Sequence, residues 1–334
     1  MKRGLISLLT LVTLAFPAAA QQLQEPVQPP PHLQPWPTLS TGQNPAQVTG
    51  SLMLGPELRR GQPAREMLAD RRRLDAALAA LQPQRRGAID VYVISVALDS
   101  DPVFAREARE AGKVLSRRYA AEGRTITLAG PDGRSAGLPK GSLTSLTVAL
   151  ARVAEVMDPA EDVLVLYTTS HGAPEGLAYH EGDIGYGLLA PSRLGVVMGE
   201  LGIKRRVLML SACFSGVFVP FMANADTAIV TAASADRTSF GCQAENDWTF
   251  FGDALINNAL RKPQSFTSAV EEARRSISTW ENQSALQPSL PQLLIGDRAR
   301  EWLATLEARI PRGASTPTGT PAIASFGPIV PAGR

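Results

Sequence analysis

Four runs constrain this chain more than anything else in it: "AIDVYVISVAL" (88–98), "DVLVLYTTSHG" (162–172), "RVLMLSA" (206–212) and "TAIVTAA" (227–233). All four are almost continuously apolar before opening into a polar turn, and three of them are rich in β-branched residues. A strand with one wet face alternates apolar and polar residues; a run without alternation reads as a strand covered on both faces. "TITLAG" (125–130) and "PQLLIG" (291–296) add two shorter candidates. Helical spacing fills the gaps, over 65–82, 103–120, 143–158, 191–202, 249–260, 265–280 and 298–308. Strands alternating with helices imply βαβ units, so the expected fold is α/β, with a mainly parallel central sheet of about six strands and helices on both faces.

The flanks have a different character. Residues 1–20 pair a charged start (Lys2, Arg3) with an apolar run from Leu5 to Phe16 and the small-residue end Ala18-Ala19-Ala20. That three-part pattern predicts a cleaved signal peptide, and the run is shorter than the ~20 residues a membrane span needs. A periplasmic or secreted protein with no membrane anchor after cleavage is expected. Residues 21–65 are rich in Pro and Gln and read as a disordered leader, and residues 311–334 as a disordered Pro/Gly-rich tail. The folded domain is expected over 66–310. The full chain carries 33 Lys+Arg against 31 Asp+Glu, and the signal holds two of the bases and no acid, so the remainder balances at 31 against 31. A neutral chain makes no electrostatic case for nucleic acid.

In an open parallel sheet the chemistry collects at the carboxyl ends of the strands. The residues there are Asp99 and Asp101, then Ser170-His171-Gly172, then Cys213, then the segment "SADRTSFGC" ending at Cys242. If the strands before His171 and Cys213 are neighbours, both side chains reach one edge of the domain. A thiolate could then attack a carbonyl and an imidazole could supply the proton that a leaving amine needs. The N–H groups of Gly172 and Cys213 could hold the oxyanion. Position alone leaves Cys213 open between nucleophile, core filler and half of a Cys213–Cys242 disulfide, since the expected compartment is oxidising. Lys140-Gly141-Ser142 is not a phosphate loop, because Pro139 stands where the motif needs Gly before Lys; Ser142 reads as the N-cap of the next helix. His32, His171 and His180 show no metal-ligand spacing, and His180 reads as a polar loop residue.

The blocks "DVLVLYTTSHG", "RRVLMLSACFSG", "VTAASADRTSFGC" and "NDWTFFGDAL" resemble, in that order, the legumain-like (C13) cysteine peptidases of the caspase-fold clan. The resemblance runs from about Asp90 to Asp297. It implies a caspase-like fold, His171 as catalytic histidine, Cys213 as nucleophile, and an oxyanion hole from the Gly172 and Cys213 N–H groups. It implies a polypeptide substrate and neither metal nor organic cofactor. The implied activity is that of a cysteine endopeptidase working through a Cys213 thioester, with transpeptidation by the same dyad, or an inactive binding module, as the alternatives. For the substrate pocket the resemblance points to Arg106, Ser211 and Asp247. Ser211 stands where legumains carry an acid, and Phe214 where they carry Glu. Both changes remove acceptors for an amide NH₂, so strict Asn specificity is not implied.

Overall fold

The computed structural model describes residues 30–130 and 137–326. The expected signal peptide, and the outer ends of the expected leader and tail, lie outside the described residues.

Ten strands and eight α-helices make up the described chain: α1 (Pro45–Leu52), β1 (Glu57–Arg59), α2 (Ala64–Ala79), β2 (Val91–Ala97), α3 (Pro102–Tyr119), β3 (Thr125–Leu128), α4 (Leu143–Val156), β4 (Val163–Thr169), β5 (Gly172–Ala173), β6 (Gly176–Glu181), β7 (Gly185–Leu189), α5 (Pro191–Glu200), β8 (Arg206–Ser211), α6 (Val219–Met222), β9 (Thr227–Thr231), α7 (Phe266–Gln283), β10 (Gln292–Ile295) and α8 (Asp297–Glu307). Six strands form the central sheet in the order β10-β9-β8-β4-β2-β3. All its pairings are parallel except β10 with β9. The α/β class and the mainly parallel six-stranded sheet are as the sequence predicts.

The unbroken apolar runs follow from the period of two. Val91, Val93, Val163, Val165, Tyr167, Val207 and Met209 pack on one face with residues of α3, α7 and α8. Their neighbours Tyr92, Ile94, Leu164, Leu166, Leu208 and Leu210 pack on the other with α4 and α5. Both faces are dry, so neither parity can be polar. Ser142 caps α4 as expected, its hydroxyl accepting from Ser145 N–H at 3.0 Å.

A second, four-stranded sheet, β1-β7-β6-β5, departs from the sequence reading. Its hairpin over 172–189 is glycine-rich and holds no apolar run long enough to register as a strand. His180 therefore lies in β6, not in a loop. The leader is also corrected over its described part. Asn44 caps α1 by accepting from Gln47 N–H, and β1 pairs antiparallel with β7. The described part of the expected tail, 311–326, is held for a different reason. It makes no strand ladder, but side chains satisfy its backbone: Trp248 Nε1–H donates to Thr318 O, Asp247 accepts from Thr320 N–H, and Asp253 accepts from Ala322 N–H, each at 2.8 Å. Composition reports the lack of a ladder and misses such partners.

One buried carboxylate ties the layers together. Glu107 of α3 is fully buried and accepts from Tyr167 OH in β4, from Ser211 Oγ in β8, and from both the N–H and the hydroxyl of Thr249. Burial, and then the neighbouring Glu107, push the Tyr167 phenol well above its ordinary pKa. Gly252 is needed beside it, since a Cβ there would lie 2.0 Å from Glu107 Oε2. Glu107→Leu would leave these donors without an acceptor, at about 1–3 kcal/mol for each one left unmet. Urea denaturation is expected to show a loss of at least about 3 kcal/mol; an unchanged midpoint would mean that the carboxylate is dispensable.

Candidate active site

Strands β4 and β8 pair in parallel with Thr169 opposite Ser211. Ser170 N–H donates to Ser211 O at 3.1 Å as the last rung. Both strands then stop, and the residue two positions beyond the last pair is His171 on one and Cys213 on the other. The two turns meet directly. A Cβ on Gly172 would lie 2.0 Å from Cys213 O and 3.2 Å from the Ala212 Cβ, so only a bare Cα lets the His171 turn rest on the Cys213 turn.

Beyond the cysteine the chain reverses sharply. Phe214 takes a left-handed conformation (φ 56°), uncommon for a bulky residue, and its N–H donates to Arg237 O at 2.7 Å. A single 3₁₀ turn, Ser215–Phe218, follows. Cys213 Sγ accepts a hydrogen bond from Ser239 N–H at 3.3 Å. Among the described residues Cys213 N–H has no acceptor. His171 O accepts from Ala178 N–H at 3.0 Å. By the alternation of an antiparallel ladder, the next residue, Gly172, turns its N–H away from β6.

His171 keeps 43% of its side chain exposed. Its ring stands edge-on to Phe104, centroids 5.0 Å apart, and its Nε2 lies 4.0 Å from Asp101 Oδ2. The Asp101 carboxylate first, then the Cys242 sulfur, raise its pKa to about 10; burial opposes this and the Asp99 carboxylate supports it. The same contact with His171, aided by His32, lowers the pKa of Asp101. Cys242 packs against the apolar cluster of Ala97, Val103, Phe104, Ala108 and Ala129. Cys242, on the 239–247 loop, thus acts on His171, and Cys213 lies on the β8 turn that meets the His171 turn. Both cysteines are free, so the disulfide reading does not hold.

The pocket residues fare unevenly. Ser211 is buried, and its hydroxyl is committed to Glu107 at 2.9 Å and Thr249 at 3.1 Å, which corrects the expectation that it contacts substrate. Arg106 and Asp247 do come together, Nε to Oδ1 at 3.4 Å. Each has other work, however. Arg106 donates to Ala244 O and Asn246 O, and Asp247 holds the C-terminal strap through Thr320 N–H. They line a cavity of about 660 Å³ with Arg109, Lys113, Trp248 and Gly319; His171 and Cys213 are not among its lining residues. Sequence reasoning missed Glu107, since a buried acid has no signature beyond its helix. It flagged Asp101 only as a strand-end residue. Among the described residues no group of His, Cys, Asp and Glu could hold a metal ion.

The thiol turn, the histidine turn and the free N–H groups between them suit attack by sulfur on a carbonyl. Residues 143–300 match the model of the Peptidase C13 family. No curated protein matches the chain. Among solved structures, the crystal structure of caspase-1 from Spodoptera frugiperda is similar at 13% identity and a TM-score of 0.41, covering 64% of this chain and 92% of that one.

Gly172→Ala is expected to cost about 1–3 kcal/mol, the usual penalty for forcing extra atoms into a packed contact. Thermal and urea unfolding would measure it; full stability in this variant would show that the two turns do not depend on the close approach.

Proposed function

We propose, on the premise that the chain belongs to the Peptidase C13 family and is a cysteine peptidase of that kind, that it is an exported endopeptidase that cuts polypeptides through a thioester on Cys213. The observation that carries this reading is the contact of the His171-Gly172 turn with the backbone of Cys213 at the ends of paired strands. Signal-like residues 1–20 support export.

In the proposed reaction the Cys213 thiol gives its proton to solvent, and the thiolate sulfur forms a bond to the scissile carbonyl carbon. The carbonyl π bond opens onto oxygen, and the N–H groups of Gly172 and Cys213 hold that oxyanion. Collapse breaks the C–N bond, and the departing nitrogen takes a proton from the His171 imidazolium, leaving a thioester. A water then gives a proton to neutral His171 as its oxygen attacks the thioester. The C–S bond breaks, the acid product leaves, and the thiolate returns. Free cysteines support this reading over a site retired by a disulfide.

The protonation states set the pH dependence. The mechanism needs His171 charged at the start, and with its pKa raised to about 10 the imidazole stays charged through neutral pH. Turnover should hold as pH rises past the ordinary imidazole range and fall only as pH climbs through the raised value. A peptide library assayed with a thiol reductant present tests the site itself. Cys213→Ala is expected to abolish turnover while the fold persists by circular dichroism, and Cys242→Ala to keep most of it. Undiminished cleavage by Cys213→Ala would sink the proposal.

A further inference from the structure

The N-terminal segment reaches the neighbourhood of the proposed catalytic histidine. His32 Nε2 lies 3.0 Å from Asp101 Oδ1, and the other oxygen of the same carboxylate, Oδ2, is the one facing His171 Nε2. The far side of the His32 ring is held as well, its Nδ1 3.3 Å from His180 Nε2. His180 Nδ1 in turn lies 3.6 Å from Asp99 Oδ2. Trp36 packs on the rings of His180 and Tyr186, centroids 4.9 and 5.2 Å away, and Gln34 N–H donates to Asp183. With its proton on Nε2, His32 donates to Asp101 and accepts from His180.

We propose that Asp101 is the positioning residue of His171, and that His32, delivered by the N-terminal segment, holds Asp101 in place for it. The inference rests on the peptidase reading above and extends it. A carboxylate on a turn can rotate about its own bonds. Here its backbone N–H is tied to Asp99 Oδ1 at 2.9 Å and one oxygen is tied to His32. The second oxygen is thereby kept on the His171 side. At 4.0 Å the pair is ionic and not yet a hydrogen bond. Such contacts often tighten when substrate is bound. With Nε2 turned to Asp101, Nδ1 is the nitrogen left to serve the leaving amine. The other groups facing His171 are Asp99 from the same turn, Phe104 from α3 and Cys242 from the 239–247 loop. Unlike these, Asp101 reaches Nε2 as an ion-pair partner.

The test uses the full chain in four variants: Asp101→Asn, His32→Ala, His32→Gln, and Asp101→Asn with His32→Ala. Each is measured for kcat, KM and their pH dependence, for melting temperature, and for the imidazole titration of His171 by ¹⁵N NMR. Asp101→Asn is expected to lower kcat by about 10²-fold with KM little changed. It should also move the His171 titration, and the alkaline limb with it, down by more than about one pH unit. His32→Ala should move both the same way by less. His32→Gln, which keeps an N–H donor, should recover most of the loss, and the double variant should match Asp101→Asn alone. An Asp101→Asn protein whose His171 titrates as in the parent overturns the proposal. So does a His32→Ala protein with unchanged titration, or with raised kcat, which would make His32 a competitor for Asp101. If the parent shows no Cys213-dependent turnover, the peptidase reading fails by itself, and the titrations still decide the positioning.

Discussion

The parallel pairing of β4 with β8 puts Thr169 opposite Ser211, and the site hangs from that register. A one-residue slip would turn every side chain on one strand to the opposite face. Both faces are packed, so the slip would exchange Val, Tyr and Met contacts on one side for Leu contacts on the other. The core therefore sets the alignment, and the alignment sets His171 level with Cys213. Gly172 completes the arrangement, because the two turns can close on each other only where one has no side chain.

The surroundings of the site are held by buried polar contacts. Ser211 sits one residue from the Ala-Cys turn, where legumains carry an acid, and the nearest acid here is Glu107, behind the strand and saturated by donors. A carboxylate so occupied anchors the α3–sheet contact and offers nothing to a substrate. Asp247 is drawn toward the C-terminal strap and Arg106 toward the 239–247 loop. Two segments that look featureless by composition, 30–36 and 313–326, thus contact Asp101 and Asp247.

The sequence carried the central sheet plainly, since dry strands announce themselves as apolar runs and their turns by Ser-His-Gly and Ala-Cys. It offered His171 and Cys213 by position and by resemblance together, and the structure sets them just past the ends of neighbouring strands. The β5–β7 hairpin was hidden because short strands in "GAPEGLAYHEGDIGYGLL" have too little apolar content to alternate. The segment 30–36 and the strap were hidden because their partners are single side chains far away in sequence: Asp101 for His32, and Asp247, Asn257 and Asp253 for the strap. Ser211 misled for a related reason, as nothing local says that a small hydroxyl faces a buried glutamate from α3.

The identity of the nucleophile is the claim on which the rest stands, because Cys242 acts on His171 while Cys213 lies on the turn that meets the His171 turn. Labelling the native protein with a peptidyl electrophile and mapping the adduct by mass spectrometry tests it directly. The account predicts one adduct, on Cys213, lost when the protein is unfolded before labelling. An adduct on Cys242 instead, or equal labelling of both thiols, would contradict it.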